Sequence, residues 1–240
     1  MLELKNITAS TEGEIILRDI SFVFETGKTY AIFGPNGAGK STLASVIAGH
    51  PSYSLKRGSR ILFNGKRIDR FTPEKRAGLG IFLSFQNPLP LPGVSASQLF
   101  RIAFEKEGAP LLVHKRALDY AFELGLTGKH LSRSMNEGFS GGEKKKLEAL
   151  QVAMFTPKFL ILDEIDSGAD IDAIKKIGKL IKKTKSPDQT TLIITHSEKL
   201  LSTLKPDVVV VMKDGVIEKV GDLSMVKEVF KEGFENNVKI

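Results

Sequence analysis

Cysteine is absent from this 240-residue chain. No disulfide can form, and no thiolate metal site can come from this chain alone. An apolar run long enough to span a membrane is also absent. The N-terminus lacks the positive-then-apolar pattern of a signal peptide. The default location is therefore cytoplasmic, with no direct membrane insertion. No internal repeat and no low-complexity tract interrupts the chain. What is present is 41% hydrophobic and 26% charged residues, the balance of a soluble globular protein with a sizeable core. The length allows one large domain or two small lobes. The formal charge is +7, yet the longest unbroken basic run is only Lys144-Lys145-Lys146. Solvated helix faces and attraction to an acidic partner account for the excess as well as nucleic acid does, and no direct nucleic-acid contact is expected.

The most informative stretch is Gly34-Pro35-Asn36-Gly37-Ala38-Gly39-Lys40-Ser41. It fits G-x-x-x-x-G-K-[ST], the loop that wraps nucleotide phosphates. Glycines let the backbone turn with positive φ and leave no Cβ in the way of a phosphate. Successive N–H groups then form an anion nest, and the helix that follows adds its positive end. Lys40 supplies a point charge for the β- and γ-phosphates, and Ser41 a hydroxyl for Mg²⁺. The flanks agree with this. Lys28-Thr29-Tyr30-Ala31-Ile32-Phe33 reads as a short buried strand, and residues 42–49 as a helix stopped by glycine. The plainer alternative is a Gly-rich turn ahead of an ordinary helix.

Strand patterns occur at residues 2–7 and 20–24, at 60–66 with an Asn64-Gly65 turn, and at 81–85. Asn87-Pro88-Leu89-Pro90-Leu91-Pro92-Gly93 is too rich in proline for a helix or a central strand and reads as a shaped linker. Helical patterns follow at 97–106 and 112–124. Core character returns at 159–162 and 191–195. A late hairpin is expected over 208–212 and 216–220 around Asp214-Gly215, then a helix over 223–230. Strands alternating with helices imply an α/β fold with a parallel sheet. The helical stretch 87–155 lies between two core strands. It is expected to form a lobe inserted into a nucleotide-binding core of about residues 1–86 and 156–240, within one domain.

Two further constellations carry chemistry. Leu160-Ile161-Leu162-Asp163-Glu164 is an apolar strand ending in two acids. Asp163 can be held beside the loop to bind Mg²⁺, and Glu164 can orient and deprotonate water. Alone, the pair could be two solvated acids at a strand end. Ser140-Gly141-Gly142-Glu143 precedes a helix over 144–155 and offers bare N–H groups, a second anion site, or a plain cap.

Taken in order, these motifs resemble the ABC-type ATPases over nearly the whole chain. Residues 34–42, Thr42 included, match Walker A, and Gln86 sits at the Q-loop position. Phe139-Ser140-Gly141-Gly142-Glu143 matches the signature motif, and residues 160–164 match Walker B. Ser167-Gly168-Ala169-Asp170 matches the D-loop, and His196 the switch histidine. The resemblance implies a P-loop ABC ATPase fold: a mostly parallel core sheet, an antiparallel β subdomain and an inserted helical lobe. It implies hydrolysis of ATP to ADP and phosphate, with Mg²⁺ at Ser41, Gln86 and Asp163. It makes Glu164, His196, Lys40 and Gln86 catalytic. It also implies an ATP-dependent head-to-tail homodimer. Each ATP would then lie between the loop of one subunit and Ser140, Gly141 and Gly142 of the other, with Asp170 of the D-loop also among the nucleotide-binding residues.

Within the family, residues 80–88, 92–95, 136–145 and 162–168 and Lys205-Pro206-Asp207 are similar to SufC. Members of that group are ATPases of the SUF iron–sulfur cluster assembly system. The implied partners are SufB/SufD-like scaffold proteins, and a cluster carried on the partner suits a chain without cysteine. The rival is the nucleotide-binding subunit of a membrane transporter. A DNA-repair or translation ATPase would need a long coiled-coil insertion or a second cassette, for which 240 residues leave no room. Three departures from the family pattern stand out. Ala9-Ser10-Thr11-Glu12-Gly13 holds no aromatic to stack on adenine. The signature ends in Glu143 instead of glutamine. Ala169 replaces the usual leucine of the D-loop.

Overall fold

The computed structural model describes residues 1–86 and 88–225. The elements run β1 (Leu2–Thr11), β2 (Glu14–Phe24), β3 (Thr29–Phe33), α1 (Lys40–Ala48), β4 (Ser54–Leu55), β5 (Arg60–Phe63), β6 (Lys66–Arg67), α2 (Pro73–Gly78), β7 (Ile81–Ser84) and β8 (Leu91–Ser95). They continue with α3 (Ala96–Ala103), α4 (Pro110–Glu123), α5 (Gly128–Ser132), β9 (Ser134–Met135), α6 (Gly141–Phe155), β10 (Phe159–Asp163), α7 (Ile171–Thr184), β11 (Thr190–Ile194), α8 (Glu198–Leu204), β12 (Val208–Lys213) and β13 (Val216–Gly221).

The central sheet has the order β13-β12-β3-β11-β10-β7. The five strands from β12 to β7 are parallel, and β13 returns antiparallel on the far edge. All five residues of β3, β10 and β11 are buried. Strands covered on both faces have to be apolar throughout, which is why each reads as an uninterrupted run. Alternation sorts them further. Phe159 and Ile161 face one core with Leu43 and Ile47 of α1 and the inner face of the antiparallel sheet. Leu160 and Leu162 face the other, with Leu147 of α6 and Ile177 of α7. Phe24 meets Tyr30 and Phe159 edge to face, at ring-centroid separations of 5.0 and 5.5 Å.

The second sheet is antiparallel, in the order β2-β1-β5-β6 with β4 on β1. Its hairpin is longer than the sequence pattern indicates. Glu12 and Gly13, with φ of 50° and 86°, make a tight turn that lets β1 and β2 pair out to Thr11 and Glu14. Positive φ at Asn6 and Asp19 accompanies register shifts in the pair, and Asn6 Nδ2 donates to Asp19 Oδ1 at 3.0 Å. The Asn64-Gly65 and Asp214-Gly215 turns both occur with left-handed residues.

Between β7 and β10 the chain is mainly helical. The Pro-rich segment is not a bare linker: β8 pairs with β9 in a two-stranded ribbon with an irregular register. Proline is tolerated there because an edge position needs no ladder donor. The helices α2, α5, α7 and α8 are not among those the sequence reading expects. Of the helix expected over 223–230, residues 226–230 lie outside the described residues. Among the described residues, no helix is long and apolar enough to cross a membrane.

Candidate phosphate-binding site

Parallel strands present all their C-terminal ends at one edge, where open α/β sheets bind ligands. Here Ile32 of β3 lies opposite Ile194 of β11. Ile194 lies opposite Asp163 of β10, and Leu162 opposite Ser84 of β7. That register delivers the phosphate loop, His196, the Asp163-Glu164 pair and Gln86 to one line, although more than a hundred residues separate some of them in sequence.

The loop itself follows from its glycines. Gly34 has φ of +152°, and a Cβ there would overlap the Met212 carbonyl of β12. Gly39, with φ of +93°, is the N-cap of α1 and supplies no side-chain cap, so the N–H groups of the first turn are left for a ligand. Pro35 is half-buried and Ala38 buried, while Asn36 and Gly37 form the exposed crest. The loop is propped from behind. Ala38 O accepts from Gly215 N at 3.2 Å, and Gly215 O accepts from Arg18 N at 2.8 Å. The late hairpin thus ties the loop to the antiparallel sheet.

Lys40 is buried and donates from Nζ to the carbonyls of Gly34 and Pro35 at 2.8 and 2.9 Å. Burial pushes its pKa down, against the pull of Glu164 and Asp163. Thr42 follows in the first turn of α1. Ser41 Oγ donates to Asp163 Oδ1 at 3.1 Å. Burial raises the Asp163 pKa, with the Ser41 hydrogen bond working the other way. Glu164 sits in the left-handed region at φ 49°, and its N–H donates to Ile194 O at 2.9 Å. Gln86 Nε2 donates to Glu164 Oε2. A desolvated ammonium and a desolvated carboxylate, each pushed toward neutrality, suit an anion and a cation respectively. The oxygens of Ser41, Asp163 and Gln86 are the hard donors Mg²⁺ takes. Among the described residues no three His, Cys, Asp or Glu side chains converge. A cation at Asp163 would complete its shell from phosphate and water.

The remaining candidates make no hydrogen bond to this cluster among the described residues. His196 is exposed just beyond β11. Ser140 caps α6, accepting from Glu143 N at 3.3 Å, while Glu143 Oε2 accepts from Ser140 N at 2.8 Å. His130 Nε2 lies 3.2 Å from Glu143 Oε1. The Ser140 N–H, followed by His130, holds the Glu143 pKa down. The departure at the signature is thus a capping box. A Cβ on Gly141 would stand 3.3 Å from Gly168 O, so the signature and D-loop of one chain adjoin. Among the described residues no hydrogen bond joins Ser140, Gly141 or Gly142 to the phosphate loop of the same chain. Asp170 caps α7, its Oδ1 accepting from Ala173 N at 2.7 Å.

Sequence reasoning missed three residues around this site: Gly215, Lys145 and Glu148. The Asp-Gly turn was visible, but not what it would touch. Lys145 looked like part of a solvated basic run, yet it is 3% exposed. Its i,i+3 spacing to an acid was the available signal.

The sequence profile of the family described as "ABC transporter" matches residues 17–167. A probable ATP-dependent transporter, ycf16, of Pyropia yezoensis is 42% identical, covering 98% of this chain and 96% of that relative. A probable ABC transporter ATP-binding protein of Streptococcus pyogenes is 41% identical over 98% of this chain and 93% of its own. Among solved structures, an ATP-binding subunit of an ABC transporter superposes with a TM-score of 0.79 at 25% identity, covering 98% of this chain and 95% of that one.

Proposed function

The chain belongs to the ABC transporter family of ATPases, and from that premise we propose that it is the ATP-hydrolysing motor of a cytoplasmic iron–sulfur cluster assembly scaffold, resembling SufC in its action on SufB/SufD-like partners. It is an ATPase that uses ATP with Mg²⁺. The observation that carries the finer reading is that the SufC-like stretches 92–95 and 136–145 are drawn together through residues that flank them in the chain. Asn136 Nδ2 donates to Leu89 O at 3.0 Å, and Gly93 N donates to Ser134 Oγ at 3.1 Å. Leu91 lies opposite Met135. Residues 89–95 and 134–136 therefore form one unit that follows Gln86 in the chain.

In this reading Lys40 and the N–H groups at the start of α1 hold the β- and γ-phosphates. Ser41, Asp163 and Gln86 would hold Mg²⁺, which would supply positive charge to the phosphate oxygens. Glu164 takes the proton of the water that attacks the γ-phosphorus. The bond to the β–γ bridging oxygen breaks, and ADP and phosphate leave. His196 contacts the γ-phosphate and steadies the transition state. Ser140, Gly141 and Gly142 serve the ATP of a second copy, so the full set of contacts exists only in an ATP-bound homodimer, and hydrolysis loosens it. Asp170 of the D-loop is also among the nucleotide-binding residues. Residues 87–155 act as the lobe on which the partner docks.

The test of the engine is Glu164→Gln. It should bind ATP, elute as a dimer with ATP and Mg²⁺, and hydrolyse at least about 100-fold more slowly. A variant that stays monomeric at saturating ATP defeats the dimer. The names of the relatives favour a second reading, the nucleotide-binding subunit of a membrane transporter. Affinity purification of the tagged full chain with mass spectrometry separates the two. Co-purifying SufB/SufD-like proteins support the scaffold, and permease subunits overturn it.

A further inference from the structure

Two charged side chains in the first turns of α6 have no place in the chemistry above, yet both are buried: Lys145 is 3% exposed and Glu148 4%. Lys145 Nζ donates to Phe85 O at 2.9 Å and to Gln86 O at 2.7 Å. Glu148 Oε1 accepts from Phe85 N at 2.8 Å, and Oε2 from Ser84 Oγ at 3.1 Å. The two stand a turn apart, with Nζ 3.7 Å from Oε2. Four hydrogen bonds from one face of one helix thus converge on residues 84–86. The strand β7 ends at Ser84, so the polar groups of the Phe85 and Gln86 backbone that a neighbouring strand would have taken up are taken up by α6 instead.

A buried ion pair is a poor device for stability, because an apolar pair of similar volume commonly does as well or better. This one instead fixes a place. With its carbonyl held, Gln86 keeps only its side-chain torsions, and its amide reaches Glu164. We propose that Lys145 and Glu148 are positioning residues for ATP hydrolysis: they fasten the Gln86 backbone to α6 and so deliver the Gln86 side chain to Glu164. The same helix begins at Ser140-Gly141-Gly142. A displacement of that N-terminus therefore reaches Gln86 through Lys145 and Glu148. The inference rests on the roles given above to Gln86 and Glu164.

A double-mutant cycle in the purified full chain tests it, with kcat, KM and the thermal midpoint measured for each variant. Lys145→Met should lower kcat about tenfold or more while the KM for ATP stays within about twofold. In a Gln86→Ala background the same substitution should cost nothing further, because its route is already cut. Equal losses in both backgrounds overturn the proposal.

Lys145→Met leaves the Glu148 carboxylate buried without its partner and can fail to fold. Lys145→Met/Glu148→Leu removes both charges and should keep the wild-type thermal midpoint, yet show the same loss of kcat. Wild-type turnover in that folded variant overturns the positioning role, which a merely structural pair would not have. Unchanged turnover in Gln86→Ala overturns both this inference and the role of Gln86. Unchanged turnover in Glu164→Gln, with a normal cycle between Lys145 and Gln86, removes Glu164 alone.

Discussion

Lys40 has folded its ammonium back onto two carbonyls of its own loop, with Asp163 and Glu164 as the nearest opposite charges. Lys40→Ala is expected to weaken ATP binding by about 100-fold or more, since a charge-assisted contact in a desolvated site is lost. Titration with a fluorescent ATP analogue measures it. Glu148 makes the second prediction at this scale. Burial raises its pKa from 4.5 to about 7, against Lys145 and two hydrogen-bond donors. The folded chain therefore holds a proton on Glu148 between pH 4.5 and 7 that the unfolded chain has released. Stability from this group is complete below 4.5 and declines as pH rises to about 7. Thermal midpoints of wild type minus Glu148→Gln should fall across that interval. Lys40, Ser41 and Asp163 were legible in the sequence because each lies in a motif whose neighbours in the chain are its neighbours in space. Lys145 was not, because a run of three lysines gives no sign that its middle member points inward at a loop sixty residues upstream.

Turns and caps show the same division between elements. The Asp214-Gly215 hairpin could be read from the chain, since the dipeptide carries the left-handed turn in its own chemistry. Its support of the phosphate loop could not, since that depends on where β2 lies. Gly215 has φ of +79°, and a Cβ there would overlap the Ile16 carbonyl. Gly215→Ala should destabilise the fold by about 2 kcal/mol or more and weaken ATP binding as well. Denaturant melts and nucleotide titration report the two effects. The opposite outcome is expected where α6 ends. Thr156, β-branched and exposed, takes the left-handed cap position with φ of 41°. Thr156→Gly should raise stability by roughly 0.5–1 kcal/mol in denaturant melts, by relieving that conformation. The apolar strands β10 and β11 were plain in the sequence. The outer half of the β1–β2 hairpin was hidden in a polar run, and the β8–β9 ribbon in a proline cluster. Both lie at edges, where burial writes little pattern into the residues.

For the molecule as a whole, the order of the strands in the chain and their order in the sheet differ. β10 and β11 are each flanked on both sides and wholly buried. Their amides should be the slowest to exchange with deuterium, and addition of ATP should slow the loop and the start of α1 more than these strands. β3 meets its neighbours β11 and β12 only about 160 to 180 residues later in the chain. The phosphate motif is therefore translated well ahead of the strands β11 and β12 that flank β3. Until they are made, β3 is without either of its sheet neighbours. The nucleotide site therefore gains its support only after β12 has been made.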